Sequence, residues 1–284
     1  MYYIARLSGG LASAVATDRA IQAYGRNRVW IRFEDVGWED EDTHRFIGDC
    51  IKRWGARLIV GRVGKNPLDV FEARRLIPNS AMAPCSAELK IKPFAAWLWR
   101  VPKPVTILSG LDWKEPHRIA RLSRYHKRAG QWRAPVGFAR QIPGVYEDFP
   151  LLWKPLEYRA YWEVVKEWGI EPPRAYAHGF SHNNCGGRCV RQGVSEWRRL
   201  WTVGAERFRQ MRDWEMTQRA KGGARAQASF CRVTKNGVER NVTLAELEQM
   251  WQRDAYTAPP LFIDDHSSCL CPEFDDAPTI RGGN

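Results

Sequence analysis

The fold class of this chain follows from the segment Tyr2-Tyr3-Ile4-Ala5-Arg6-Leu7-Ser8-Gly9-Gly10-Leu11-Ala12-Ser13. Its residues up to Leu7 are mostly aromatic or aliphatic, and a glycine pair follows them directly, which is typical of a short buried strand. Leu11–Tyr24 then carries apolar residues at helical spacing and ends at Gly25, a residue type that commonly follows a helix. A strand that passes through a glycine turn into a helix predicts the first unit of an α/β fold.

The same alternation continues through the first half of the chain. Further strands are predicted at Val29–Phe33, Ala56–Gly61 and Val105–Ser109. Helices are predicted at Glu39–Trp54 and Ser86–Arg100. Strands that alternate with helices indicate βαβ units, so we predict the α/β class, with a Rossmann-like parallel sheet covered by helices on both faces.

The second half of the chain has a different character. We expect Gly130–Pro155, rich in proline, glycine and aromatic residues, to wrap over the sheet. Helical periods follow at Glu157–Trp168, Val194–Trp201, Gly204–Lys221 and Leu244–Asp254. Asn236-Gly237 predicts a hairpin turn between Phe230–Thr234 and Val238–Val242. We therefore predict an α/β domain over residues 1–155 and a mainly helical, cysteine-containing C-terminal region over residues 156–284, packed on it.

Composition narrows the class of protein. The chain has 284 residues, a formal net charge of +12, 44% hydrophobic and 27% charged residues, an ordinary globular balance that excludes wholesale disorder. No apolar run approaches the roughly 20 residues that a membrane-spanning helix needs, and the N-terminus lacks an export signal. We expect a cytoplasmic protein without a membrane partner, whose seven cysteines are thiols or metal ligands rather than disulfides. The positive charge fits a polyanionic partner or a merely basic surface, and charge alone leaves both open.

The turn Ser8-Gly9-Gly10-Leu11-Ala12-Ser13 is the first candidate for chemistry. Glycines let the backbone approach an anion, and the N–H groups at a helix N-terminus can donate to phosphate. The turn lacks the Gly-Lys-Ser/Thr of a Walker A loop. Spacing alone fits phosphate binding and a plain structural turn equally well.

Ser-Gly-Gly-x-x-Ser after an N-terminal strand resembles the pyrophosphate loop of the adenine nucleotide alpha-hydrolase superfamily. Further segments resemble its phosphoadenosine phosphosulfate (PAPS) reductase branch, particularly the reductase-like proteins of phages and mobile elements. These segments are Arg32–Asp35, Pro84–Lys90, Gly110–Arg118 and His182–Val190, with the pair Cys269-Leu270-Cys271 in the tail. The first domain would then be the nucleotide-binding one, and the chain an ATP- or sulfonucleotide-dependent transferase or oxidoreductase.

The resemblance implies a nucleotide site for ATP or another adenine nucleotide, with or without Mg²⁺. The residues that it places at the nucleotide are Ser8, Gly9, Gly10, Ser13, Asp35 and Lys90. Glu115 and Arg118 would lie near the phosphates or the transferred group as catalytic residues, although a solvated cation is the simpler reading of Arg118. Ala12 departs from the superfamily, because the ATP-pyrophosphatase branch normally has aspartate there, and this weakens ATP cleavage more than nucleotide binding.

Cysteines form the second candidate constellation. Cys185 and Cys189 share a glycine-rich loop in which two thiols can converge on a metal, at a spacing one residue longer than the commonest zinc pair. Cys269 and Cys271 form another close pair, and Cys85 starts a predicted helix, where the dipole favours thiolate. Thiolates select zinc or iron–sulfur clusters, and buried inert thiols are the alternative.

In the related assimilatory reductases, cysteines at the places of Cys85, Cys185 and Cys189 hold a four-iron, four-sulfur cluster. The resemblance therefore implies a 4Fe-4S cluster here, with zinc as the alternative. The fourth ligand would come from Cys269 or Cys271. Alternatively the tail would supply a reactive thiol, for which Cys271 is the candidate.

Basic and aromatic residues interleave in two stretches, Arg118–Arg133 and Trp197–Arg225. Cations neutralise phosphates and aromatic faces stack on bases, so such stretches fit nucleic acid. The second stretch also contains acidic residues, which suits an ordinary surface helix, and only the first supports the hypothesis. The leading hypothesis is nucleotide-dependent sulfur transfer to a nucleic acid, tRNA or DNA. The alternatives are a PAPS or APS reductase and a non-catalytic nucleotide- or nucleic-acid-binding module with a structural metal. The sequence leaves the oligomeric state open, a homodimer included.

Overall fold

A computed structural model of the chain describes residues 1–115, 142–156, 158–235 and 238–254. Their contacts divide them into two compact units. The first comprises Met1–Gly64 and the described part of Leu89–Arg174, and the second comprises Lys65–Glu88 and the described residues from Ala175 onward. No helix in these ranges is long and apolar enough to cross a membrane.

The first unit is built on a five-stranded parallel sheet, which confirms the predicted α/β, Rossmann-like class. The strands are β1 Tyr2–Arg6, β2 Val29–Asp35, β3 Arg57–Arg62, β4 Val105–Leu108 and β5 Val145–Asp148. Their order across the sheet is β3-β2-β1-β4-β5, and every neighbouring pair is parallel. The register places Ala5 of β1 between Ile31 of β2 and Leu108 of β4.

Helices cover both faces of this sheet. In chain order, the described helices before β5 are α1 Leu11–Tyr24, α2 Glu41–Trp54, α3 Pro67–Ala73, α4 Pro84–Ser86 and α5 Lys92–Leu98, with a π-helical segment Ala87–Ile91 between the last two. Of these, α3 and α4 belong to the second unit. On one face, Ala20 of α1 packs against Ala5 and Leu108. On the other, Phe94 and Leu98 of α5 pack with Ile107 and its neighbours. The alternation of side chains along each strand therefore supplies two apolar layers.

The rest of the described chain is mainly helical, as predicted. Its helices are α6 Pro150–Trp153, α7 Tyr158–Glu167, α8 Arg174–Ala177, α9 Val194–Val203, α10 Ala205–Ala220 and α11 Leu244–Asp254, with 3₁₀ turns at Cys185–Gly187 and Gly223–Gln227. The predicted hairpin is present as antiparallel strands β6 Cys231–Lys235 and β7 Val238–Val242. The core of the second unit includes Trp197, Phe208 and Phe230, each at most 1% exposed.

One expectation is wrong. The segment Gly130–Pro155 does not simply wrap over the sheet, because its described part contains β5, which extends the sheet next to β4. Val145 and Glu147 are buried on the face that α5 covers. A four-residue strand surrounded by proline and glycine has too few alternating positions to be recognised by periodicity.

Candidate functional site

The serine–glycine turn lies between β1 and α1, and hydroxyl groups close it. Ser13 Oγ donates to the carbonyl oxygen of Gly10 at 2.8 Å and accepts from the backbone N–H and the hydroxyl of Ser8, both at 3.0 Å. A hydroxyl has one proton and two lone pairs, so these bonds use the full capacity of Ser13. Gly9 has a φ of +84°, in the left-handed region that favours glycine. Ser13 therefore braces the turn, whereas Ser8 is its exposed hydroxyl.

The start of α1 suits a negatively charged group. The helix has 14 residues, its N-cap residue is Gly10, and its first turn contains no acidic residue. A helix N-terminus carries a partial positive charge, which favours an anion placed against it. The turn and the helix start thus present backbone groups rather than a competing carboxylate.

The position of the turn in the sheet favours a ligand site. The chain leaves β1 towards β2 and β3 on one side and returns to β4 on the other side of β1. The carboxyl ends of β1 and β4 therefore flank the point at which the strand order reverses. In open parallel sheets, ligands bind in the crevice outside the strand ends at this point.

The segment after β4 approaches the turn closely. A Cβ atom at Gly110 would lie 2.9 Å from Cα and 3.1 Å from the backbone nitrogen of Ser13. Only a residue without a side chain permits this approach, because real Cβ contacts are longer. Gly110 therefore lies at the crevice. The sequence alone gives it no role of its own.

Asp112 fixes the segment that leads to Glu115. Its carboxylate accepts from the backbone N–H of Lys114 at 2.8 Å and from the hydroxyl of Tyr161 at 3.3 Å. Tyr161 is fully buried, and burial raises the pKa of its phenol, so it remains a donor. The Glu115 N–H donates to the carbonyl oxygen of Asp112 at 3.1 Å. Glu115 thus follows an anchored turn, whereas Arg118 lies outside the described residues.

Asp35 ends β2, two residues beyond the predicted strand Val29–Phe33, and its carboxylate is bound within the protein. The side chain is 2% exposed and accepts from the Arg62 guanidinium of β3 and from the backbone N–H of Gly37 at 2.7 Å. Burial alone would raise the pKa of Asp35, but the bonds from Arg62 and Gly37 outweigh it, so the pKa lies below its ordinary value. The role of Asp35 at the nucleotide, which the resemblance implies, stays a prediction.

A buried ion pair on β2 packs against β3. Arg32 Nε donates to Glu34 Oε1 at 2.6 Å, and the two side chains are each 7% exposed. A Cβ atom at Gly61 of β3 would lie 2.0 Å from Glu34 Oε2, so glycine leaves the space that the pair occupies. Burial raises the pKa of Glu34 despite the bond from Arg32. Lys90, a predicted nucleotide residue, lies on the π-helical segment with its Nζ 3.7 Å from Glu39 Oε1.

In the second unit, Cys185 begins a tight glycine turn. Cys185 has a φ of 50°, unusual for a residue with a side chain, and Gly186 and Gly187 follow with φ of 58° and 81°. A Cβ atom at Gly187 would lie 3.0 Å from Cδ1 of Leu200. Long side chains cover the carbonyl oxygens of this turn. Arg188 Nε donates to Cys185 O at 3.3 Å, Arg207 Nη1 to Gly186 O at 3.2 Å, and Gln192 Nε2 to Gly187 O at 2.9 Å.

The predicted metal ligands are only partly described. Cys85, Cys185 and Cys189 are partly buried, and the five described cysteines form no disulfide. Within the described ranges, no three histidine, cysteine or acidic side chains are grouped so that they could hold a metal ion. The described thiols therefore do not by themselves make a cluster site. Cys269 and Cys271, from which the fourth ligand is predicted, lie outside the described residues.

The two basic–aromatic stretches have different outcomes. Most of the first, from 118 to 133, lies outside the described residues. In the second, Trp197 is fully buried against Phe230, with ring centroids 5.6 Å apart. Trp214 packs between Phe71 and Phe230, at 6.0 and 5.8 Å. These tryptophans belong to the core of the second unit. Their burial agrees with the interpretation of this stretch as an ordinary surface helix.

Comparisons with known proteins give a weak similarity to solved structures. No protein-family model matches the chain, and neither does any curated protein. Among solved structures, the chain is similar to phosphoadenylyl-sulfate (PAPS) reductase from Candida auris in its phosphate complex, with a TM-score of 0.41 and 13% sequence identity over 64% of this chain and 79% of that one. A similarity of this size establishes neither a shared activity nor shared site residues.

Proposed function

We propose that this protein binds an adenine nucleotide at the Ser8–Ser13 turn and uses it to transfer sulfur to a nucleic acid. The observation that carries the nucleotide is the placement of the glycine turn and the start of α1 at the carboxyl end of β1, where the strand order reverses. The choice of adenine and of sulfur rests on the sequence resemblance of the turn and of the cysteine segments. The choice of nucleic acid as acceptor rests on the net charge of +12.

The reaction would proceed in two displacements. An oxygen of the acceptor bonds to the α-phosphorus of ATP, and pyrophosphate leaves. The terminal sulfur of a protein persulfide then bonds to the activated carbon, the carbon–oxygen bond breaks, and AMP leaves. A second thiol reduces the resulting disulfide and is itself oxidised to a disulfide, and Cys271 is the candidate reactive thiol.

In this proposal the protein acts mainly by positioning the nucleotide and the acceptor. Backbone groups of the turn hold the phosphates, Ser13 keeps the turn closed, and Glu115 and Arg118 act near the reacting phosphorus. The proposed roles of Asp35 and Lys90 are to bind the nucleotide from the neighbouring segments. Holding nucleotide and acceptor together converts a bimolecular step into an effectively unimolecular one.

Equilibrium binding of ATP tests the site directly. Gly110→Ala puts a Cβ atom 2.9 Å from Ser13 Cα, so the turn must shift, and we expect the Kd for ATP to rise at least about tenfold. The matched control is Gly48→Ala in α2, where a Cβ atom meets nothing within 4 Å and binding should not change. If the wild-type protein does not bind ATP, or both variants bind it as tightly as the wild type does, the proposed site is wrong.

Turnover assays separate the proposed reaction from its two alternatives. Sulfur incorporation into tRNA or DNA that requires ATP supports the proposal. Release of sulfite from PAPS that Cys271→Ser abolishes would instead identify a sulfonucleotide reductase. Tight ATP binding with no turnover of either kind would identify a binding module.

Anaerobic purification with iron, sulfide and zinc quantified tests the predicted cluster. We expect Cys185→Ser and Cys189→Ser to lose the metal and Cys50→Ser to keep it. Cys50 is the control because burial raises the pKa of its thiol to about 12, which suits an inert core residue. A wild-type protein that contains neither iron nor zinc would overturn the metal prediction while leaving the nucleotide site untouched.

A further inference from the structure

An aromatic ladder lies on the face of the sheet that α1 covers. Tyr3 of β1 stacks on Tyr24 at the end of α1, with ring centroids 3.6 Å apart and planes at 7°. Tyr24 meets Trp153 of α6 edge-on, at 5.7 Å and 85°. The ladder thus runs from the start of β1 to an indole that is 42% exposed.

Several contacts hold Trp153 in place. Its Nε1 donates to Asp148 Oδ1 at 3.2 Å. Arg19 of α1 donates to the carbonyl oxygens of Pro150 and Leu151 at 3.1 and 3.4 Å, which fixes α6 against α1. An exposed indole that is already ordered loses little conformational entropy when a flat ring stacks on it.

Cations lie beside this ladder in the chain. Arg26 and Arg28 follow Tyr24 in the exposed turn that leads into β2, and exposed Lys154 follows Trp153. The carbonyl oxygen of Arg28 accepts from the Tyr3 N–H at 2.9 Å, which ties this turn to the ladder. Among the described residues, Arg26, Arg28 and Lys154 form no ion pair with a carboxylate. Their charges are therefore available to an external anion.

We infer that Tyr24, Arg26, Arg28, Trp153 and Lys154, which we call the Trp153 surface, bind single-stranded nucleic acid. An ordered, exposed aromatic ring offers a stacking face to an unpaired base, and cations along the same strand neutralise its phosphates. The Arg26 guanidinium lies beside Gly55 at the end of α2, so it would meet a phosphate some distance along the strand from the stacked base. The net charge of +12 favours a polyanion, such as a nucleic acid, over a partner whose surface mixes acidic and neutral groups. The inference goes beyond the proposed function and does not depend on it, since strand binding requires no nucleotide.

The Trp153 surface shares no residue with the nucleotide turn Ser8–Ser13. A strand bound there would hold the nucleic acid on the protein rather than take part in the chemistry.

Fluorescence anisotropy of a labelled single-stranded oligothymidylate of about 16 nucleotides tests the stacking contact. We expect Trp153→Ala to weaken binding about tenfold and Trp153→Phe to retain most of it, because phenylalanine also stacks. The control is Trp99→Ala, since Trp99 is 53% exposed at the end of α5, which covers the other face of the sheet. ATP binding should be the same in all three variants, which separates this test from that of the proposed function.

The salt dependence of binding tests the phosphate contacts. Arg26→Gln/Arg28→Gln should lower the slope of log K against log salt by about 1.4, because each phosphate contact to a single strand contributes about 0.7. The matched control Arg209→Gln/Arg253→Gln removes two exposed arginines from the second unit and should leave the slope unchanged. Equal losses in the two double variants, equal losses in Trp153→Ala and Trp99→Ala, or equally tight binding of a duplex would each overturn the inference. Absence of strand binding by the wild-type protein would also overturn it and would make the surface a candidate for protein contact instead.

Discussion

Two turns, Ser8-Gly9-Gly10 and Cys185-Gly186-Gly187, each consist of a small side chain followed by two glycines. Different contacts hold them. The first is braced by two small hydroxyls and leads into a 14-residue helix whose N-cap residue is a glycine. In the second, Arg188, Arg207 and Gln192 bond to the carbonyl oxygens of the turn. The first turn thus leads directly into a helix at the crevice, whereas long side chains hold the second in place. A glycine pair allows this backbone conformation, and the residues around it determine what the turn can bind.

The largest expected effect is at Gly187 in the second turn. Gly187→Ala combines a φ of +81° with a Cβ atom 3.0 Å from Leu200 Cδ1 and 3.1 Å from Phe180 Cζ. Backbone strain and overpacking together should lower the free energy of unfolding by about 4 kcal/mol, measured by urea denaturation.

Gly222→Ala separates these two causes. Gly222 has a similar φ of +73°, but a Cβ atom there meets nothing within 4 Å. It should cost only the backbone strain, about 1 kcal/mol. Equal losses in the two variants would mean that the contact with Leu200 and Phe180 is unimportant and that the scaffold is looser than described.

The second-largest effect is the pH dependence of the second unit, which is held by the buried carboxylate of Glu215. Its two oxygens accept from the backbone N–H groups of Phe230 and Leu244, both at 2.7 Å. Burial raises the pKa of Glu215 from 4.5 to about 7, although these two bonds favour the ionised form. A carboxyl whose pKa is raised by folding stabilises the protein fully below about pH 4.5, and that stability is lost as the pH rises through 7.

Urea unfolding between about pH 5 and about pH 8 measures this dependence. Over that range the wild-type protein should lose about 2.5 kcal/mol relative to Glu215→Gln. The control is Glu246→Gln, because the backbone bond from Thr243 lowers the pKa of Glu246, whose contribution is then constant above 4.5. A wild-type protein that gains stability over this range relative to Glu215→Gln would show that the two backbone amides outweigh burial.

The sequence predicts the parts of the fold that local physics controls. Helix α1 begins and ends where its apolar period and Gly25 indicate, and α11 matches its predicted bounds, Leu244–Asp254. Strand β5 is missed because its four residues owe their conformation to pairing with β4. The π-helical segment Ala87–Ile91 interrupts the predicted helix Ser86–Arg100 without any residue pattern that marks it.

Contacts between distant parts of the sequence explain what is missed at the candidate site. Tyr161 reaches Asp112 across 49 residues, and Arg62 reaches Asp35 across 27. Residue types at these spacings carry no local signal. Gly110 had a signal, since it directly follows a predicted strand, but its purpose becomes clear only from the approach of Ser13.

The smallest effect concerns the two hydroxyls of the first turn. Ser13→Ala removes a buried hydroxyl that bonds to both Ser8 and Gly10, so it should lower the free energy of unfolding by about 1–2 kcal/mol. Ser8→Ala changes an exposed side chain and should cost about 0.5 kcal/mol or less. ATP affinity should follow the same order, because an open turn cannot hold phosphate whatever hydroxyl remains. The opposite order in ATP affinity, with the order in stability unchanged, would mean that the exposed Ser8 hydroxyl contacts the phosphate directly. The turn would then bind through its side chains as well as its backbone, and its contrast with the Cys185 turn would lie in the hydroxyl rather than in the helix start.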